Sequence, residues 1–260
     1  MLPETNPLDK FLTGKHVWPD ENEKPPELSH FTGCVAAQSI CRDRVLCFNS
    51  RKMEDQNEFQ LGRMFMMLHP CKKVKEYSWE ELCADAEKDV RCWTFSLCNV
   101  DNEKTKQEMI RKHCCGKPGG PAVLSFSFVE LQQKVNAIMT EDMGNLQAPK
   151  NQRCFHFFLP CLYAKKDHGV ILKLLKYLFG EYYEELKETY TDKIDRRELA
   201  FACSYIFRAM VKADQYQNEH EYRLVKITFD GNDDKSLPFG IDCHPRSIPL
   251  PFSCPFCANR

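Results

Sequence analysis

Two glutamates, Glu219 and Glu221, stand at the head of the run EYRLVKITF. That run alternates as a half-buried strand over Glu221–Phe229, so a strand that begins early puts both carboxylates on one face. Arg223 follows as an ion partner, and the face is either a solvated ion-paired surface or a site where a carboxylate stabilises developing positive charge. His30 follows Ser29 at a strand start. An imidazole there is either a satisfied structural group or a neutral ligand contact, giving one ring N–H outward while the backbone fixes the other nitrogen. Asp55 and Glu58 are three apart at a helix start and share one face, where they complement the helix dipole.

The cysteines suggest other chemistry. There are 15, an odd number, and Cys114-Cys115 are adjacent, which suits ordinary bridges poorly. Cys254-Pro255-Phe256-Cys257 has the gap of a zinc knuckle, and Cys243 lies eleven positions upstream. One such pair is half a site, so zinc would need Cys243, Cys254, Cys257 and a distant His or Cys. The expectation is no metal, with zinc in the tail as the alternative. A nucleophilic thiolate needs a His neighbour or a helix N-terminus; the His113-Cys114-Cys115 and Cys154-Phe155-His156 groupings offer several pairs without a protease signature. Most thiols read as small buried hydrophobes.

The elements that must position these groups follow from composition and punctuation. Lys and Arg number 36 against 37 Asp and Glu, so the chain has no global cationic coat, and only short basic runs such as Lys72-Lys73-Val74-Lys75 and Lys165-Lys166 could track phosphates. With 43% hydrophobic and 12% aromatic residues the chain is a folded globular protein. The N-terminus carries charges throughout and no apolar stretch long enough for a signal peptide or a spanning helix, so the expectation is a cytoplasmic protein with reduced thiols and no membrane partner. Residues 1–27, ending in Pro25-Pro26, read as a lead-in arm, 28–240 as one domain, and 241–260 as a Cys- and Pro-rich tail.

Within the domain, Ser78 and Glu81 have capping-box spacing for a helix over 79–89. Residues 91–97 read as a strand and 103–113 as a polar helix ending at Gly116. A strand over 122–128 and a helix over 129–139 come next. Residues 153–163 form a buried strand, Asp167 caps a helix over 169–179, and helices follow over 181–190 and 196–212. Strands and helices interleave with no regular βαβ period and no Gly-rich phosphate loop, which predicts an α+β fold, a single domain with a mixed or antiparallel sheet and flanking helices.

The order of several short motifs resembles a widespread bacterial domain family of unknown function. Leu28-Ser29-His30-Phe31-Thr32, Ser39-Ile40, Leu46-Cys47-Phe48-Asn49-Ser50 and Met53-Glu54-Asp55-Gln56-Asn57-Glu58 match its opening. Cys92-Trp93-Thr94-Phe95-Ser96, Met109 to Cys114, Ala122 to Phe128 and Glu219-His220-Glu221-Tyr222-Arg223 match its later strands and middle motif. The likeness covers about Leu28 to Phe239. Gln56 replaces the family's Pro, and the Trp and Tyr of its middle motif are missing.

More loosely, the pattern is similar to mono-ADP-ribosyltransferases, including DarT-like enzymes. The resemblance implies an ADP-ribosyltransferase-like fold and cleavage of NAD, with ADP-ribose passed to a macromolecular acceptor, nucleic acid or protein. The role implied is that of a toxin or antiviral-defence effector, with an antitoxin or regulator as a further partner. By resemblance His30 contacts the NAD ribose, Thr32 belongs with it to the cofactor-binding set, Phe48, Asn49 and Ser50 line the nicotinamide side, and Arg111 or Arg223 meets the pyrophosphate. Glu221 is the catalytic carboxylate and Glu219 orients the acceptor. The alternative is a non-catalytic binding or regulatory module with a zinc-stabilised tail.

Overall fold

The computed structural model describes residues 7–14, 18, 25–43, 45–47, 58–71, 78–83, 90–100, 102–117, 119–144, 154–190, 194–229, 236–238 and 244–247. Its centre is a six-stranded sheet built from β1 (Glu27–Gly33), β3 (Arg91–Cys98), β4 (Pro121–Ser127), β5 (Cys154–Pro160), β8 (Glu221–Thr228) and β10 (His244–Ser247). The spatial order is β10-β4-β1-β3-β8-β5, and every neighbouring pair is antiparallel. The expected α+β architecture is therefore present in its antiparallel form. The last strand belongs to the segment read as a tail, so part of that tail completes a sheet edge.

Two small ladders flank the sheet. β2 (Val45–Cys47) pairs with β9 (Ser236–Pro238), and β6 (Leu162–Tyr163) runs parallel to β7 (Val211–Lys212). The helices are α1 (Pro7–Thr13), α2 (Cys34–Asp43), α3 (Glu58–Leu68), α4 (Trp79–Cys83), α5 (Glu103–His113), α6 (Phe128–Gly144), α7 (His168–Tyr177), α8 (Tyr183–Tyr190) and α9 (Arg196–Met210). None of the described helices is long and apolar enough to cross a membrane.

Several starts follow directly from side-chain chemistry. Ser78 Oγ accepts from the Glu81 N–H at 3.2 Å while Glu81 Oε2 accepts from the Ser78 N–H at 3.2 Å, the reciprocal box expected for α4. Asn102 Oδ1 accepts from the Thr105 N–H at 2.8 Å and opens α5. Asp195 and Glu198 form a second capping box at α9, the helix most fully enclosed by protein. Asp167 behaves differently from its expected role: its carboxylate accepts from the Tyr163 N–H at 2.7 Å and makes no cap bond to α7. The acid is spent on ordering the turn after β6.

Other expectations change for reasons of packing. The segment read as an arm contains α1, whose Leu8 and Leu12 are fully buried in the main core, and Trp18 packs against Phe128, Phe158 and Tyr222. Helix α9 stops at Met210 rather than Lys212, because Val211 and Lys212 leave it to pair with β6. The two helices expected over 169–190 are joined by a π-helical turn at Leu178–Tyr182, an insertion absorbed without a break. Gly62 lets α3 meet α9 closely, since a Cβ there would lie 2.7 Å from the Arg208 Cα.

Candidate functional site

The sheet register decides which side chains can meet. Ser29 stands opposite Cys98, and Cys98 stands opposite Glu221, so these three share one face; His30, one residue along, points to the other. On its own face His30 stacks on Phe95 at 4.1 Å between ring centroids. The structure therefore does not bring His30 and Glu221 together. Thr32 shares the His30 face, and Arg111 is exposed on α5. Phe48, Asn49 and Ser50 lie outside the described residues, as do Asp55, Cys243, Cys254 and Cys257.

His30 is fixed as a neutral base. Its Nδ1–H donates to the Ser96 carbonyl at 2.9 Å, so in the neutral ring Nε2 is an acceptor. That reverses the expected outward donor: Nε2 would receive a hydrogen bond from a hydroxyl. Burial holds the ring down to about 4, against the pull of the Ser96 bond, and the nearby His113 adds to the lowering.

The Glu219–Glu221 end holds most of the charge. Glu221, at the head of β8, is 3% exposed, and Arg223, two residues on, is 0% exposed. Arg223 donates from Nε to Glu221 Oε1 at 2.7 Å and from Nη1 to the Ala209 carbonyl, which closes α9, at 2.7 Å. Lys212, at the end of β7, donates to Glu221 Oε2 and to Glu219 Oε2, the latter at 2.6 Å. The Glu221 N–H donates to the Tyr163 hydroxyl at 3.1 Å. The small β6–β7 ladder, invisible in the sequence, thus supplies both Tyr163 and Lys212.

Burial alone would raise the Glu221 carboxyl, but Arg223 and Lys212 outweigh it and hold the group well below the carboxylate range. Burial likewise opposes charge on Lys212, and Glu221 overturns it, so the ammonium is held above its ordinary value. The Tyr163 hydroxyl is pushed up by burial, with Cys161 adding. Cys98, across the sheet from Glu221, is raised well above its usual value by burial and by that carboxylate. Cys98 is therefore held as a neutral thiol.

Glu219 was expected on the strand face by a period of two. It instead ends a 3₁₀ turn over Asp214–Glu219, and His220 follows at φ 41°, the only non-glycine residue with positive φ among the described ones. That left-handed step breaks the alternation, yet swings Glu219 back so that both carboxylates converge on Lys212. Glu219 is the carboxylate nearer the surface. Its Oε1 receives Lys112 Nζ of α5 at 3.3 Å, and Lys112, with a 45% exposed side chain, lies 4.5 Å over the Tyr216 ring. Lys212 lies 4.8 Å over the same ring.

Among the described residues no group of three or more His, Cys, Asp or Glu is placed to hold a metal ion. The molecule is thus an antiparallel α+β protein with a mixed-charge cluster buried at one end of the strand β8. Compared with known proteins, the chain matches no family model, no curated protein and no solved structure. The likeness in motif order stands on the residues alone.

Proposed function

We propose that the chain consumes NAD and transfers ADP-ribose to a macromolecular acceptor, nucleic acid or protein, as a toxin or antiviral-defence effector, and that the working end is the Glu219–Glu221 cluster. The supporting observation is the pair of buried carboxylates joined by Lys212, Glu221 enclosed at 3% exposure and Glu219 just beneath the surface at 9%. The two acids exchange the roles that the motif order implied. Glu221 has both oxygens engaged by Lys212 and Arg223, which suits a positioning residue; Glu219, bonded outward only to the half-exposed Lys112, is the carboxylate a ribose could meet. An ionised carboxylate there stabilises positive charge developing at the ribose carbon as nicotinamide leaves. His30 serves no step on this face.

The test is nicotinamide release from NAD, with and without cell lysate, by wild type and by Glu219→Gln. Release lost in Glu219→Gln, with its unfolding midpoint near wild type, is the expected result. No release by folded wild type in any lysate overturns the proposal.

The second reading is a non-catalytic binding or regulatory module. It is favoured by the placement of His30 and Glu221 on opposite faces, which leaves those two residues without one shared cradle. In that reading the cluster is a clasp tying β8, β7 and α5 together, and Glu219→Gln changes stability alone.

A further inference from the structure

The cluster grades from a rigid interior to a loose mouth. Arg223, Lys212 and Glu221 have side chains 0%, 4% and 2% exposed, Glu219 11%, and Lys112 45%. The bonds grade in the same order. Lys212 and Arg223 hold carboxylates at 2.6 and 2.7 Å, the range of charge-assisted hydrogen bonds, whereas Lys112 stands 3.3 Å from Glu219 Oε1 and rests on Tyr216. An exposed lysine on a flexible stem retains most of its donors for solvent and exchanges partners at little cost. Arg223, one of the two arginines that the resemblance offered for a pyrophosphate, is fully enclosed and bonded to Glu221 and Ala209. It cannot reach a ligand.

We infer that Lys112 receives the phosphate of a small phosphate-bearing ligand at this mouth, and that in turning to it Lys112 uncovers Glu219 Oε1. This rests on the proposed function for the identity of the working end, and it deepens that reading by making the carboxylate available only when the anionic part of the ligand is in place. The Lys112 ammonium is the exchangeable member. Lys212 stays on Glu219 Oε2, so the carboxylate remains oriented while its outer oxygen opens. Tyr216 gives Lys112 a surface to slide across, since a cation over a ring face is held without directional bonds.

The probe is inorganic pyrophosphate, titrated calorimetrically into the full chain at low ionic strength, for wild type, Lys112→Met and the surface control Lys104→Met on the same helix. Lys112→Met keeps the length of the stem and removes the charge. The expected result is binding by wild type and Lys104→Met, weakened about tenfold or more in Lys112→Met, as loss of one charge-assisted contact implies. Equal affinity in Lys112→Met and wild type overturns the inference, as does absence of binding by wild type. Weakening of the same size in Lys104→Met indicates diffuse charge attraction and overturns it too. Nicotinamide release measured on the same samples separates the two ideas: Lys112-dependent binding without release leaves this inference standing and removes the transferase, whereas release with Lys112-independent binding does the reverse.

Discussion

The two faces of the central sheet solve the problem of buried polarity in opposite ways. On one, Glu221 keeps its charge because Lys212 and Arg223 surround it; on the other, His30 gives up its charge and lies against Phe95. A buried carboxylate with two cations offsets its desolvation through Coulomb attraction and hydrogen bonds, and an imidazole with one carbonyl partner does so by staying neutral. Adjacent rows of one strand register therefore hold groups of contrary electrostatic character. The pairing Ser29–Cys98–Glu221 sets the division, and a slip by one residue would exchange the two sets.

The sharpest way to break this contrast is Glu221→Gln. It leaves Lys212 and Arg223 enclosed without a full counter-charge, so it should destabilise the protein by about 3–5 kcal/mol in urea unfolding. A cost below about 1 kcal/mol would mean that the cluster is far wetter than its geometry. For the same reason loss of activity in Glu221→Gln cannot by itself identify a catalytic carboxylate, and Glu219→Gln is the cleaner variant.

His30 comes next. Its folded value, near 4, is below the ordinary histidine value, so it favours the native state above about pH 6.5, and this contribution is lost as pH falls from there toward 4. His30→Gln should remove that part of the acid sensitivity, on the order of 2 kcal/mol between pH 7 and 4. An unchanged stability–pH curve would place the titration elsewhere.

Asp9 of α1 carries the opposite sign. Burial raises its carboxyl to about 6, against the pull of a hydrogen bond with Asn136 of α6. Its contribution is full below about pH 4 and disappears as pH rises through 6. Asp9→Asn should therefore stabilise the protein by about 1 kcal/mol at pH 8 and by nothing at pH 4. Equal effects at both pH values would contradict the placement. The smallest effect belongs to the mouth of the cluster: Lys112→Met should alter stability by no more than about 0.5 kcal/mol, as befits an exposed ion pair.

Long periodic elements with chemical punctuation were legible in the sequence. Helix α5 lies over residues 103–113 as its breaker Gly116 and its charge pattern implied, and β8 begins where the alternation EYRLVKITF begins. Elements set by tertiary contacts were not. Two-residue ladders such as β6–β7 have no period to detect, and the polar segment before Glu27 shows no sign that Leu8 and Leu12 will be enclosed. At the candidate site, Glu219, Glu221 and Arg223 were visible as types and spacing. Lys212 and Tyr163 were not, because each matters only after a short parallel ladder sets them beside β8. His30 stands out in the sequence, but its type alone does not reveal which face of β1 it occupies.

The short span of the charge cluster bears on the order in which the chain folds. Lys212 is seven residues from Glu219 and nine from Glu221, whereas His30 reaches Ser96 across sixty-six. Loops of about ten residues close in roughly 10–100 ns, long before distant strands find their register. The lysine and the two acids can thus meet while still hydrated, when pairing carries little desolvation cost. The sheet and α9 then close over charges already matched, so the chain need not pass through a state with a lone buried ion.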